Sequence, residues 1–454
     1  MTERNQLTTL IKPRRFSGLP VNDKPRRFFM HILKEKEFSQ KSLWRNLRIN
    51  LLGFSVPFFF LTSTTFAQEA TTKPAETGFG NGLQFSLNEN QYQFKISGFL
   101  QPSWQFNKTD NQEKENKFLS KRSYLNFSGK ALKEKVSFLI QVDFSATTPL
   151  LDAWAAYHFT PKWSLSAGQR RTFTNNRELT FDEDKLQFAD RSQLSSTFAG
   201  NGREFGLFLE GKIGKSFVLA PQLAITSGDG PNSFGLNSTD PDLGGFKYGG
   251  RLDVYPMGEF SEGNEGFSAD IKHESKLKLV VGAAGSLNKG ASSSKGEGHG
   301  DFLFYDKSKN SKLPDYRKFS ADILLKFKGF SLLAEFMNSS AAGLTGIYTD
   351  SSSAIGAVLK PGQISQFLVL GNAFNVQAGY TTKSGYSLDV RYEKRTPEFS
   401  DQALSVLQQA EVSTLGLSKY FPDNRLKIQG TLSQVKYLNS KKSILSELMM
   451  QVVF

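Results

Sequence analysis

The end of the chain alternates residue by residue. Ile444, Ser446, Leu448, Met450, Val452 and Phe454 fall on one face of an extended segment, and Leu445, Glu447, Met449, Gln451 and Val453 on the other, because successive strand side chains point to opposite sides. A strand that closes on a C-terminal aromatic is a common end of a bacterial outer-membrane barrel, and the same period of two recurs about sixteen times upstream. From Tyr92, one face carries Phe94, Ile96, Gly98, Leu100, Pro102, Trp104 and Phe106; the other carries Gln93, Lys95, Ser97, Phe99, Gln101, Ser103 and Gln105. That is long for a soluble sandwich, whereas a tilted bilayer-crossing strand takes about 9–11 residues with aromatic girdles at its ends.

Residues 41–67 have the form of an export signal. Lys41, Arg45 and Arg48 precede an apolar core from Leu51 to Leu61, and Thr65-Phe66-Ala67 is a small-x-small site with cleavage expected after Ala67. The core is too short for a spanning helix, which needs about 20 residues. Residues 1–40 form a polar, basic extension, read as a misassigned start with Met30 as the alternative. Beyond residue 67 no apolar run is long enough for a transmembrane helix, so a membrane-spanning chain must close its strands into a barrel to satisfy every backbone group in lipid. The expectation is an all-β, closed antiparallel transmembrane β-barrel of about sixteen strands over residues 91–454, after a flexible lead-in at 68–90.

Strands are expected near 92–106, 120–130, 134–146, 152–160, 163–171, 203–213, 216–226 and 245–256. The rest fall near 276–286, 317–327, 329–338, 373–382, 385–394, 411–421, 424–436 and 444–454. The connections sort by length. Long polar ones lie at 107–119, 172–202, 227–244, 287–316, 339–372, 395–410 and 437–443. Short ones lie at 131–133, 161–162, 214–215, 383–384 and 422–423. Short periplasmic turns and long outer loops mark bacterial barrels. The 257–275 connection breaks the rule, which implies an extra strand pair or a periplasmic insertion.

Charge and cysteine content narrow the function. Residues 1–67 hold 12 Lys/Arg and 4 Asp/Glu, which leaves 44 and 39 in the remainder, a net +5 out of +13. So mild an excess gives no reason to expect nucleic acid as a partner. The absence of cysteine excludes disulfide scaffolds, thiolate metal sites and thiol catalysis.

Between residues 95 and 256 a set of motifs appears in order. Ser123-Tyr124-Leu125-Asn126-Phe127-Ser128-Gly129-Lys130 precedes Phe138-Leu139-Ile140-Gln141-Val142-Asp143-Phe144 and Leu151-Asp152-Ala153-Trp154. Ala167-Gly168-Gln169-Arg170, Asn176-Arg177-Glu178-Leu179 and Phe188-Ala189-Asp190-Arg191-Ser192 come next. Gly202-Arg203-Glu204-Phe205-Gly206-Leu207 and Arg251-Leu252-Asp253-Val254-Tyr255-Pro256 complete the set. This stretch resembles the phosphate-selective porin O and P family. The resemblance implies a trimeric, sixteen-stranded outer-membrane porin whose third outer loop folds into the pore, here residues 172–202. It also implies basic residues lining the path of small anionic solutes such as phosphate, carried over to Arg170, Arg177, Arg191 and Arg203.

Alternation adds further candidates. An Arg or Lys facing lipid at mid-membrane costs roughly 2–4 kcal/mol, so Lys95, Arg122 and Arg251, with Lys326, Arg391 and Lys427, are expected to face a water-filled lumen. Guanidinium forks suit bidentate capture of an oxyanion. Acidic residues compete for them: Glu178, Asp182, Glu183, Asp184 and Asp190 in the loop, and Asp143, Asp152, Glu210, Asp253, Asp389 and Glu447 on inward faces. Pairing between the two sets would pin the loop to the wall instead.

No catalytic residue, cofactor or metal site is expected. His158 near Asp152 is the nearest approach to a hydrolase, without a sequence-local triad. Asp143, Asp152, Asp182, Glu183 and Asp184 raise a Ca²⁺ reading without ordered ligand spacing. The Gly-rich run 286–300 lacks the setting of a phosphate loop. The barrel reading implies outer-membrane lipid and lipopolysaccharide as partners, and the family resemblance implies small anions and a homotrimer of the same chain. The competing expectation is a non-conducting or adhesive surface barrel.

Overall fold

The computed structural model describes residues 76–78, 80–88, 90–200, 202–229, 244–296, 300–349, 358–400, 403–438 and 441–454. The expected extension, the signal peptide with its cleavage point after Ala67, and His299 lie outside them. Two short strands come first, β1 (Glu76–Gly78) and β2 (Gly82–Leu87). The long strands begin with β3 (Tyr92–Thr109), β4 (Glu115–Ala131), β5 (Val136–Asp143), β6 (Leu150–Thr160), β7 (Trp163–Arg171) and β8 (Arg203–Gly211). After β9 (Ile213–Gly214) follow β10 (Val218–Asp229), β11 (Lys247–Tyr255), β12 (Lys278–Asn288), β13 (Asp315–Phe327) and β14 (Phe330–Ala342). The last are β15 (Gly371–Thr381), β16 (Tyr386–Pro397), β17 (Ala410–Tyr420), β18 (Leu426–Tyr437) and β19 (Lys442–Val453).

Each long strand pairs antiparallel with the next, β8 reaching β10 past β9, and β19 returns to β3 with Leu448 opposite Trp104 and Val453 opposite Phe99. The circuit is a closed barrel of sixteen strands. The terminal aromatic completes the seam: the Phe454 N–H donates to the Gly98 carbonyl (3.0 Å), and the Gly98 N–H donates to the Phe454 carbonyl (2.8 Å). A Cβ on Gly98 would sit 2.9 Å from the Phe454 ring, so glycine is what lets the ring close over β3.

Burial along the strands is the inverse of a soluble protein. In β16, Tyr386, Leu388, Val390 and Tyr392 are exposed, while Ser387, Asp389, Arg391 and Glu393 are buried. A side chain such as Leu417, 60% exposed, is stable there only against lipid, and no helix among the described residues is long and apolar enough to cross a membrane. Leu417→Arg is therefore expected to cost roughly 2–4 kcal/mol if the site lies at mid-membrane, read as a lowered midpoint of denaturant unfolding in vesicles. A polar replacement of Ser418, buried on the opposite face, should be far milder.

Three expectations need correction. The first long connection was placed at 107–119, but the β3–β4 ladder continues through polar residues to Asn107 opposite Glu115, which leaves only 110–114. The lead-in at 68–90 is partly structured, since β2 pairs with the start of β3 and stacks Phe85 on Phe94. Of the two readings of the 257–275 stretch, the extra strand pair is absent; the chain from Pro256 to Leu277 is a single folded connection, in keeping with an insertion.

Candidate functional site

The 172–202 segment contains two 3₁₀ turns, Arg177–Thr180 and Glu183–Lys185, and one helix, α1 (Gln193–Phe198). Ser192 caps α1 by accepting a hydrogen bond from the Ser195 N–H. Such short elements cannot stand alone, so attachment to the strands holds their shape. Two apolar anchors contribute. Leu194 and Phe198 pack with Met337, Val369, Ala373 and Leu407, and Phe181 and Leu186 pack with Val280, Leu324 and Leu333.

Polar attachments are more extensive, and most reach the polar face of the strands. Arg177 donates through Nε to Asp322 (2.6 Å, β13) and through Nη2 to Asp253 (2.7 Å, β11). Arg251 donates to the same two carboxylates at 2.8 Å and 2.7 Å, closing a buried square of two cations and two anions. Gly282 makes room for it, because a Cβ there would lie 2.3 Å from Arg251 Nη2 and 2.5 Å from Arg177 Nη2. Glu178 accepts from Arg391 (2.8 Å) and from the Ser192 and Ser195 hydroxyls. The Glu178 N–H and the Asn176 amide both donate to Glu335. Gln187 donates to Asp389 (2.6 Å), and Lys427 donates to the carbonyls of Asp184 and Leu186. Segment and wall thus form one continuous network across strands distant in sequence.

The candidate arginines all lie in or beside this network. Arg203, 2% exposed, donates to Asp152 (2.9 Å) and Gln141 (2.7 Å) and stands 3.5 Å from Glu183. Arg191 donates to the Glu178 and Phe181 carbonyls and to Glu183 (2.9 Å). Arg122 donates to Gln101 (2.8 Å) and the Ala189 carbonyl, with Asp190 at 3.4 Å. Arg170 forms a fork on Glu210 (2.9 and 3.2 Å) between the Trp154 and Phe208 rings. Lys95 lies apart, half-buried near the start of β3 opposite Gln84. Asp322, Glu335, Gln187 and Gly282 were not singled out from sequence. An interior strand glycine was the one available signal, since it marks close approach by another group.

Two loop carboxyls titrate in opposite senses. Burial alone would push Glu183 up, but Arg171, Arg191 and Arg203 outweigh it and hold its carboxyl well below the usual range. Asp184 is pushed up to about 6, by burial first and by neighbouring Asp182, against the pull of Lys185 and Lys427. A raised folded value stabilises the fold as pH falls through it; a depressed one contributes above the unfolded value, about 4.3 for Glu, and is lost below. Thermal stability should therefore rise slightly from pH 7 to 5 and fall only in stronger acid. An Asp184→Asn variant should reduce the rise.

Other chemistry finds less support in the geometry. The Ser137 hydroxyl is 2.8 Å from His158 Nε2, but the nearby Glu134 carboxylate is bonded to Lys130 and Gln93. Asp143 accepts from Ser123 and Ser145, and among the described residues no group of three or more His, Asp or Glu side chains is placed to hold a metal ion.

A search of curated proteins returns no match. Solved structures similar to this chain include OmpT of Vibrio cholerae, at 10% identity over 81% of this chain and 100% of that one, TM-score 0.49. An anion-selective porin from Comamonas acidovorans is 12% identical over 80% and 100%, TM-score 0.48. The outer membrane channel DcaP of Acinetobacter baumannii is 12% identical over 81% and 99%, TM-score 0.49. The motif at Arg251–Pro256 falls outside the span matched by the family model. Over residues 94–232, a span that includes the whole 172–202 segment, the chain matches the family model "Phosphate-selective porin O and P".

Proposed function

We propose that this protein is an outer-membrane porin for passive diffusion of small solutes, with the 172–202 segment as its constriction. One observation carries the reading: a closed sixteen-stranded circuit turns apolar side chains outward and charged ones inward, and a polar segment is tied to the inward face. Sixteen strands enclose enough space for an aqueous channel, and selectivity in such a channel is a matter of the charges that line it.

A mild preference for anions such as phosphate is the finer reading, supported by the family match over 94–232. Lys326 and Lys427 bond to carbonyl oxygens of the 256–277 connection and the 172–202 segment, so they hold the backbone and add nothing to the case for anions. The arginines favour a different role, since the buried ones already have internal acceptors. We assign Arg177, Arg191, Arg203, Arg251 and Arg122 to shaping the constriction. Arg170, whose fork with Glu210 is only partly buried, is the better candidate for meeting a solute. A homotrimer is proposed on the family resemblance. The dense network also favours a second reading, an occluded surface barrel.

Reconstitution into a planar bilayer under a KCl gradient separates these. Stepwise conductance with an anion-selective reversal potential, reduced by added phosphate, is the expected result. Conductance without anion preference would remove the phosphate proposal, and silence from verified folded protein would favour the occluded barrel.

A further inference from the structure

The connections on the short side of the barrel are brief: 132–135, 161–162, 328–329, 382–385 and 421–425. The one between β11 and β12 runs from Pro256 to Leu277 and has a buried network of its own. Asn264 donates to Asp270 and Glu274 (both 2.8 Å), and Ser261 donates to Glu274 through both its N–H (2.8 Å) and its hydroxyl (2.7 Å). These internal bonds brace the turn, which is also fastened to the wall. Lys326 donates to the carbonyls of Asn264 (2.5 Å) and Phe267 (2.6 Å), with the Phe260 ring 4.7 Å from its Nζ. The Gly329 N–H donates to Asp270 (2.8 Å), and the Lys328 N–H to the Glu274 carbonyl (2.9 Å).

The same turn grips the tip of the 172–202 segment. The Gln187 N–H donates to the Ser268 hydroxyl (2.8 Å), and the Ser268 N–H donates to the Lys185 carbonyl (3.3 Å). Phe260 packs in one buried cluster with Phe181 and Leu186. On the other side the tip is held by Lys427 and by Gln429, which donates to the Gln187 carbonyl (3.0 Å). The tip therefore lies between wall and turn, and hydrogen bonds run from an outer loop to a connection of the opposite barrel end.

We infer that the 256–277 turn is the second half of the constriction: it locks residues 181–187 in place and so determines the width of the pore. This rests on the porin reading, and the turn is a positioning element that need not touch solute. Without it, the tip loses both its Ser268 bonds and its Phe260 contact, and is free to swing on its remaining attachments.

The chain has no cysteine, so Gln187→Cys with Ser268→Cys introduces a single pair. The 2.8 Å contact puts the two residues within reach of a disulfide, which needs Cα atoms closer than about 7 Å. Folded protein in vesicles should cross-link on mild oxidation, and the oxidised variant should show less open-channel noise than the same variant reduced. Replacing 258–275 by a two-residue turn should raise single-channel conductance roughly twofold and add open-channel noise, as a widened, mobile constriction does. If that variant does not fold, Lys326→Met, which removes the bonds to Asn264 and Phe267, should raise the noise. If the wild type conducts, a double-cysteine variant that does not cross-link, or a shortened or Lys326→Met variant that conducts like the parent, overturns the inference. If the wild type is silent but the double-cysteine variant still cross-links, the porin reading falls and the interlock stands, so the two failures are distinguishable.

Discussion

Asp322→Ala is expected to destabilise the barrel by about 3–5 kcal/mol, the usual cost of breaking a buried ion pair from one side. Asp322 is the shared acceptor of Arg177 and Arg251, both nearly inaccessible to solvent. Its loss leaves two guanidinium groups competing for Asp253 alone. The square as a whole adds little net stability, because desolvation offsets most of its attraction; the large effect comes from the imbalance. Denaturant unfolding in vesicles measures it, and single-channel noise should rise as Arg177 releases its end of the 172–202 segment. A stability within about 1 kcal/mol of the parent, the scale of an exposed surface pair, would show that the square is hydrated and unimportant.

The second large effect separates two roles for arginine. If Arg203 shapes the constriction, Arg203→Met should cost a similar 3–5 kcal/mol, because Asp152 loses its guanidinium partner and Gln141 its donor. Glu183 retains Arg171 and Arg191, so the damage should stay local to β5, β6 and β8. If Arg203 instead captures solute, the same variant should keep parental stability and lose only phosphate sensitivity. Measuring unfolding and phosphate block on one preparation decides between them.

The architecture was readable locally. Alternation requires only that neighbouring residues lie on opposite faces, so each strand could be placed from its own residues, and sixteen were. The same rule expects Arg251, Lys326, Arg391 and Lys427 to face a water-filled lumen; they lie on the polar face, but buried against acceptors of the wall, the 172–202 segment and the 256–277 connection. Strand ends were harder: polar residues 107–109 and 115–119 look like loop, yet they continue a paired ladder. The length of 257–275 was an evident anomaly, but its folded form depends on Lys326 and Gln187, which no local pattern connects to it.

The site was legible as a collection of charges and not as a set of pairs. Arg391 meets Glu178 across 213 positions, and Gln187 meets Asp389 across 202. A sequence with basic and acidic residues on the same faces is compatible with arginines open to solute or closed on carboxylates. Closure of the barrel chooses between them. It brings β11, β13, β14, β16 and β18 around the 172–202 segment, and in a confined space of low dielectric a carboxylate within 3 Å is a stronger partner than a distant or transient ion. The chain by itself determined that its strands carry one apolar and one polar face, because period two sends alternate side chains to opposite sides, and their length favoured lipid over a second sheet as the cover of the apolar face. The three-dimensional circuit alone decided which charges neutralise one another, because that depends on distances between strands that alternation does not encode.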